Sequence, residues 1–214
     1  GYYQMNEKND EVDHYSNEVE TDELPLAVKK FLQKEKNSCL DVQSLLQATC
    51  QEIDEGEELM SLGQIVTFTP LHVLLTFPSP KNRKLDVYGA SAANNTPVII
   101  FDANGQNNQK WEILRSEKYN GVLYRAVHSK KYMGVLNGSR DGGVTIVQQD
   151  LFLDDARQVW TTEAVDNDPR RQIVRNLKSG LVLDVKDAET ANNTPLIQFP
   201  RNMQLNQQFA IQIA

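Results

Sequence analysis

The chain has 214 residues, 40% of them hydrophobic, which allows one large domain, or one domain and an appendage, with an ordinary core. Its net charge of −7 is uneven: residues 1–60 carry 15 acidic and 5 basic side chains, residues 61–214 carry 14 and 17. This split predicts an acidic arm on a near-neutral domain, and neither half clusters Lys and Arg as a nucleic-acid binder does.

Gly1 to Glu23 is polar and acidic without apolar periodicity, which predicts a solvated arm; Tyr2, Tyr3 and Tyr15 are its only candidate anchors for a partner. The opening Gly1-Tyr2-Tyr3-Gln4 lacks the basic-then-apolar pattern of a signal peptide, a start that suits a processed chain and a trimmed one alike. Pro25 opens a helical pattern in which Leu24, Val28, Phe31 and Leu32 recur at spacings of three and four. Ser38 and Asp41 resemble a capping box before a second pattern, Val42, Leu45, Leu46, Ala48, Cys50 and Ile53, with Gly56 as its stop. Two short amphipathic helices bury too little surface alone, so the segment 24–62 must dock on something. Cys39 and Cys50 are the only cysteines. On one helix they would stand roughly 16 Å apart, beyond the reach of a disulfide. They are then buried thiols, or one links to another chain; a local bridge would require a looped hairpin in place of the second helix.

From Gln64 the texture changes to short β-rich runs separated by turn residues, predicting an all-β barrel or sandwich over residues 63–214. Gln64 to Phe77 is the most apolar stretch, but Thr67, Thr69, Pro70 and His72 interrupt it, and no run approaches the roughly 18 apolar residues of a spanning helix. His72 to Phe77, Val122 to Val127 and Gln172 to Leu177 each read as the opening strand of a repeat. Leu85-Asp86-Val87 and Asn94-Asn95-Thr96-Pro97 return without a gap as Leu183-Asp184-Val185 and Asn192-Asn193-Thr194-Pro195. Gln109-Lys110-Trp111 returns as Gln207-Gln208-Phe209, and halfway between stands Gln158-Val159-Trp160. Three units of about 49 residues, each closing on Gln-x-aromatic, predict three lobes at about 66–116, 117–167 and 168–214, with four short strands each.

L-D-V, N-x-T-P-V-x-x-F and N-Q-x-W repeated in this way resemble the ricin B-chain type of β-trefoil lectin over roughly residues 66–214; residues 1–65 resemble nothing familiar. The resemblance implies a mostly β, twelve-stranded β-trefoil that binds glycans, galactose-type sugars first, in the first and third lobes. It gives the Q-x-W residues a structural role: Gln109, Gln158 and Gln207 tie turns, while Trp111, Trp160 and Phe209 fill the core. It assigns the sugar carboxylates to Asp86 and Asp184, the stacking rings to Phe101 and Phe199, and the amides to Asn108 and Asn206. Further polar contacts fall at Asn104 and Asn202. A carboxylate accepts from two hydroxyls, an amide donates and accepts, and a ring covers the apolar face of a pyranose, so these types suit a sugar.

The middle lobe departs from the pattern. Gly134 or Val135 takes the acid's place, Gln149 the ring's and Arg157 the amide's, which reads as a lobe without a site. Lys84 and Ala103, and Val182 and Arg201, stand where the family often has disulfides, so a secreted or cell-surface location rests on the glycan ligand and not on cysteine pattern. Ile99 and Ile197 replace a frequent polar helper.

Other chemistry is thin. His14, His72 and His128 lack metal spacing, no nucleophile–base motif of an enzyme is legible, and nothing calls for a cofactor. Asp150, Asp154 and Asp155 read as a solvated loop more than a calcium loop. Asn94-Asn95-Thr96, Asn137-Gly138-Ser139 and Asn192-Asn193-Thr194 satisfy the glycosylation pattern and suit turns equally well. Beside a stand-alone lectin, two readings remain open: a cell-targeting subunit of a multi-chain bacterial toxin, held to a partner subunit by residues 1–60, and a protein-interaction trefoil such as a protease inhibitor.

Overall fold

A computed structural model describes residues 24, 26–34, 39–49, 51–52, 65–116 and 118–214. Gly1 to Glu23, Ser38, Cys50, Ile53 and Gly56 lie outside the described residues. Helix α1 spans Leu26–Lys34 and α2 spans Val42–Thr49. The second helix starts differently from the capping box expected at Ser38. Asp41 is itself the cap: its Oδ1 accepts from the backbone N–H of Gln43 at 2.7 Å and of Ser44 at 3.4 Å. The chain just before it is held extended against the C-terminal strand, with Cys39 bridging Gln212 and Leu40 N–H donating to Ile211 O at 2.6 Å. Cys39 therefore precedes α2, which removes the alternative that placed both cysteines on one helix. Its thiol is free and half-buried.

The helices dock on the chain's own barrel. Leu24, Val28, Leu40, Val42, Leu45 and Leu46 belong to one apolar cluster with Leu71, Val73, Trp111, Phe209 and Ile211. Side-chain contacts complete the seam: the Gln172 amide donates to Leu40 O, and the hydroxyls of Thr49 and Thr69 lie 2.7 Å apart. Strand β1 (Gln51–Glu52) pairs with β2 (Ile65–Phe68), and β2 pairs in turn with the far strand of the first repeat.

The repeated sequence returns as repeated pairing. The first copy supplies β3 (Val73–Phe77), β4 (Arg83–Val87), β5 (Thr96–Phe101) and β6 (Trp111–Ser116). The second supplies β7 (Gly121–Ala126), β8 (Tyr132–Val135), β9 (Ile146–Gln149) and β10 (Trp160–Val165). The third supplies β11 (Asp168–Asn176), β12 (Val182–Val185), β13 (Leu196–Phe199) and β14 (Ala210–Ile213). Hairpins β4–β5, β8–β9 and β12–β13 share one register, Leu85 opposite Ile100, Met133 opposite Gln148 and Leu183 opposite Gln198. The last strand of each copy pairs with the first strand of the next, as β6–β7 and β10–β11, and β14 returns to β3 to close the ring. Closure leaves these strands no open edge.

The closing aromatic of each copy points into the core. Trp111 and Trp160 are fully buried and Phe209 nearly so. The indole N–H groups donate to Leu85 O at 3.3 Å and Met133 O at 3.0 Å, which satisfies the one polar atom each ring takes out of water. Phe209 has no such atom and instead meets Phe77, ring centroids 6.2 Å apart.

The N-N-T-P turns hold neighbouring copies together. The Asn94 amide exchanges two hydrogen bonds with Asp150, one to Oδ2 and one from its N–H, each 2.8 Å. Asn192 does the same with Asp102 at 2.9 Å and 2.9 Å, and also accepts from Arg83 Nε at 2.7 Å. Asn95 and Asn193 take the left-handed backbone, φ 64° and 69°, which Asn tolerates better than most residues. Thr96 and Thr194 donate to Ala93 O and Ala191 O at 2.7 Å. Turn chemistry accounts for each residue of Asn94-Asn95-Thr96 and of its second copy.

Candidate functional site

The first and third copies build the same constellation. Asp86 lies opposite Ile99, and Phe101 follows two residues along β5, so period-two alternation puts acid, Ile99 and ring on one face. Asp184, Ile197 and Phe199 repeat this on β12 and β13. A 3-10 turn at Asn107–Gln109 then delivers two amides to the acid. Asn108 Nδ2 donates to Asp86 Oδ1 at 3.1 Å and to Val87 O at 3.1 Å, while Gln109 Nε2 donates to Asp86 Oδ2 at 2.8 Å and to Asp102 O at 2.8 Å. The turn at Leu205–Gln207 gives Asp184 the same treatment, with 3.1 Å from Asn206 and 2.9 Å from Gln207.

The Q-x-W glutamine therefore does more than tie a turn. Its Oε1 accepts from the N–H of Asn104 at 3.0 Å, or in the third copy from Asn202 at 2.8 Å, while its amide aims the acid. The side chains of Asn104 and Asn202 spend their Oδ1 locally, on the N–H groups of Gln106 and Gln204 at 2.9 Å.

Each carboxylate oxygen accepts one amide and keeps further lone pairs. Both acids are 97% buried, at 3% exposure. Burial pushes the carboxyls of Asp86 and Asp184 above the ordinary range, against the opposing pull of their two amide hydrogen bonds. His128, held by Ser91 O at 2.8 Å, also favours the Asp86 charge, whereas Asp187 disfavours that of Asp184. Asn108 Oδ1 is buried without a hydrogen bond. The first acid opens onto a cleft of about 400 Å³ shared with Phe101, Asn104 and Asn108. Phe101 is partly exposed there and Phe199 is 42% exposed in the third copy.

Sequence reasoning missed part of this wall. Tyr88, Gly89 and Ala90 line the first cleft from the turn after β4, together with Ile99, Gln106 and Asn193. Gly89 adopts φ 61°, a left-handed turn that glycine enters at no steric cost, and Tyr88 beside it is 55% exposed. A large exposed aromatic directly after L-D-V was the available signal.

The middle copy is filled instead. Gly134, opposite Val147, holds the place of Asp86 and Asp184, which settles the one-residue choice between Gly134 and Val135. A Cβ there would lie 2.6 Å from Gln149 Oε1 and 2.7 Å from Gln158 Cγ. Gln149, in the ring's place, accepts from Gln158 Nε2 at 3.3 Å and so takes the hydrogen bond that the acid receives elsewhere. Gln158 still ties its turn, donating to Asp150 O at 2.7 Å and accepting from Phe152 N–H at 2.9 Å. Arg157 covers the Phe152 ring at 3.6 Å and forks onto Asp155, at 2.9 Å and 3.0 Å. Asp155 also takes Lys178 at 2.7 Å, and these cations hold its carboxyl well below the usual range despite burial.

Residues 107–199 match the family model described as ricin-type beta-trefoil lectin domain-like. Solved structures agree with the fold. The designed three-fold symmetric protein ThreeFoil is 25% identical at a TM-score of 0.60, covering 65% of this chain and 96% of its own. The Rhizoctonia solani agglutinin is also 25% identical, at 0.59, over 68% of this chain and 96% of its own. A mosquitocidal holotoxin matches at 24% identity and 0.60 over 67% of this chain, which spans 17% of the toxin's length. A comparison with curated proteins gives no match. Among the described residues no helix is long and apolar enough to cross a membrane.

Proposed function

We propose that this lectin-like domain binds glycans, galactose-type sugars first, through two sites in the outer lobes of a three-lobed, twelve-stranded trefoil. The observation that carries the reading is the buried acid of each outer copy, gripped by two amides beside an exposed ring. A buried carboxylate is costly, and pure turn-building did not require one in the middle copy, where Gln149 serves. Its use is to accept two hydroxyls on a pyranose whose C–H face lies on Phe101 or Phe199, with Asn108 or Asn206 as the directional partner. Two sites on one chain raise avidity for clustered glycans on glycoproteins or glycolipids. Such ligands place the working protein outside a cell or on its surface, and the role is binding without catalysis. The test is direct titration with lactose: binding that requires Asp86 and Asp184 supports the reading, and a folded chain that binds no sugar refutes it.

A further inference from the structure

The two outer constellations look alike within their own copies, but each is bordered by the neighbouring copy, and there they differ. The turns before β5, β9 and β13 each send one backbone N–H across to an adjacent hairpin. Asn95 donates to Gln148 O at 2.8 Å, Gly143 to Gln198 O at 2.7 Å and Asn193 to Ile100 O at 2.9 Å. Those three acceptors immediately precede Gln149, Phe199 and Phe101. One position of the repeat therefore stands beside each ring place, and it is Asn193 beside Phe101 but Gly143 beside Phe199.

All three residues share the left-handed backbone, with φ 64° at Asn95, 84° at Gly143 and 69° at Asn193. A Cβ added at Gly143 meets nothing within 4 Å, so the third copy has open space where the first has an amide. The Asn193 turn is braced from the first copy: Asn192 exchanges hydrogen bonds with Asp102 at 2.9 Å, and the Arg83 guanidinium donates to Thr190 O. Asn193 itself is exposed and lines the first cleft. The turn after the acid differs as well, Tyr88-Gly89 in the first copy against Lys186-Asp187 in the third.

We infer that the two sugar sites are unequal, and that Asn193, lent by the third copy, is a specificity-determining residue of the first-copy site. This rests on the proposed sugar-binding reading. Asn193 gives the sugar on Phe101 one amide that the sugar on Phe199 lacks, and Tyr88 adds an aromatic wall where the third copy presents charge. One neutral hydrogen bond of this kind is worth about three- to tenfold in affinity. The first-copy site is accordingly the tighter for a neutral galactoside.

Lactose titrated into the 15N-labelled full chain reads both sites at once, through the side-chain amide signals of Asn108 and Asn206. The Asn108 signal is expected to saturate at the lower lactose concentration. Asn193→Gly, which keeps the backbone conformation available, weakens the response at Asn108 by about three- to tenfold and leaves that at Asn206 unchanged. Gly143→Asn does the opposite service, tightening the response at Asn206, because Asn tolerates the same φ in both sister turns. Equal affinities at the two amides, with Asn193→Gly silent, overturn this inference and leave the lectin reading standing. Lactose that moves neither amide of the folded chain overturns the galactose-type reading itself, and this inference with it.

Discussion

The middle copy offers a sharp test of why it has no acid. Gly134→Asp restores the missing carboxylate, but its Cβ arrives 2.6 Å from Gln149 Oε1 and 2.7 Å from Gln158 Cγ. Overpacking of this kind costs about 1–3 kcal/mol, and the incoming carboxylate finds the Gln158 amide already given to Asp150 O and Gln149 Oε1. We expect a total near 3 kcal/mol, or a drop in melting temperature of roughly 6–12 °C for a chain of this size. Gln149→Phe removes the colliding oxygen and releases the Gln158 amide to the new acid, reproducing the arrangement of Asp86, Phe101 and Gln109. The double variant Gly134→Asp/Gln149→Phe is therefore expected to recover about 2 kcal/mol of coupling in a double-mutant cycle followed by urea unfolding. Additive costs, or a neutral Gly134→Asp, would refute the argument that Gln149 stands in for the acid.

Three further expectations follow from the same contacts. Gln109→Ala strips partners from Asp86, Asp102 O and the Asn104 N–H at once, so it is expected to cost about 2–4 kcal/mol in urea unfolding and to abolish first-copy sugar binding; a variant of wild-type stability contradicts the hydrogen-bond account. Leu45→Ala, on a helix whose apolar side enters the barrel core, is expected to cost about 2–5 kcal/mol, read by the same assay. A loss confined to the helices, with the barrel's unfolding unmoved, would separate the two. The Asp86 and Asp184 carboxyls are raised by burial, so their stabilising contribution is fully present below about pH 3.9 and is lost as pH rises through the raised value. In the proposed function, sugar binding needs the ionised acceptors and runs the other way. Lactose affinity is expected to fall on acidification before the ordinary carboxylate range is reached, while the stability gap between wild type and Asp86→Asn closes; affinity that stays constant until that range is reached would contradict this.

What the sequence disclosed follows from which interactions are local to the repeat. Acid, ring and amide sit on adjacent strands and one turn of a single copy, so their spacing survives in the chain, and the 98-residue offset exposes them twice. The choice between Gly134 and Val135 was illegible because a one-residue gap in sequence becomes fixed only by pairing with Val147. The apolar spacing in residues 24–49 announced a docking face but not its partner, since that partner is assembled from Val73, Trp111, Phe209 and Ile211 on distant strands. That Asp41 caps α2 was illegible because pairing of Cys39 with Gln212 holds the chain just before the helix extended, a constraint set 173 residues away. Asn193 escaped for the same reason: it belongs by sequence to the third copy and by contact to the first.

The central claim is that the outer-copy acids are ligand groups. A glycan array comparing wild type with Asp86→Ala/Asp184→Ala, both checked for fold by circular dichroism, tests it most directly. Binding to terminal galactosides that disappears in the double variant is the expected result. Glycan binding that persists in the double variant, or a folded wild type that binds nothing on the array, would contradict it.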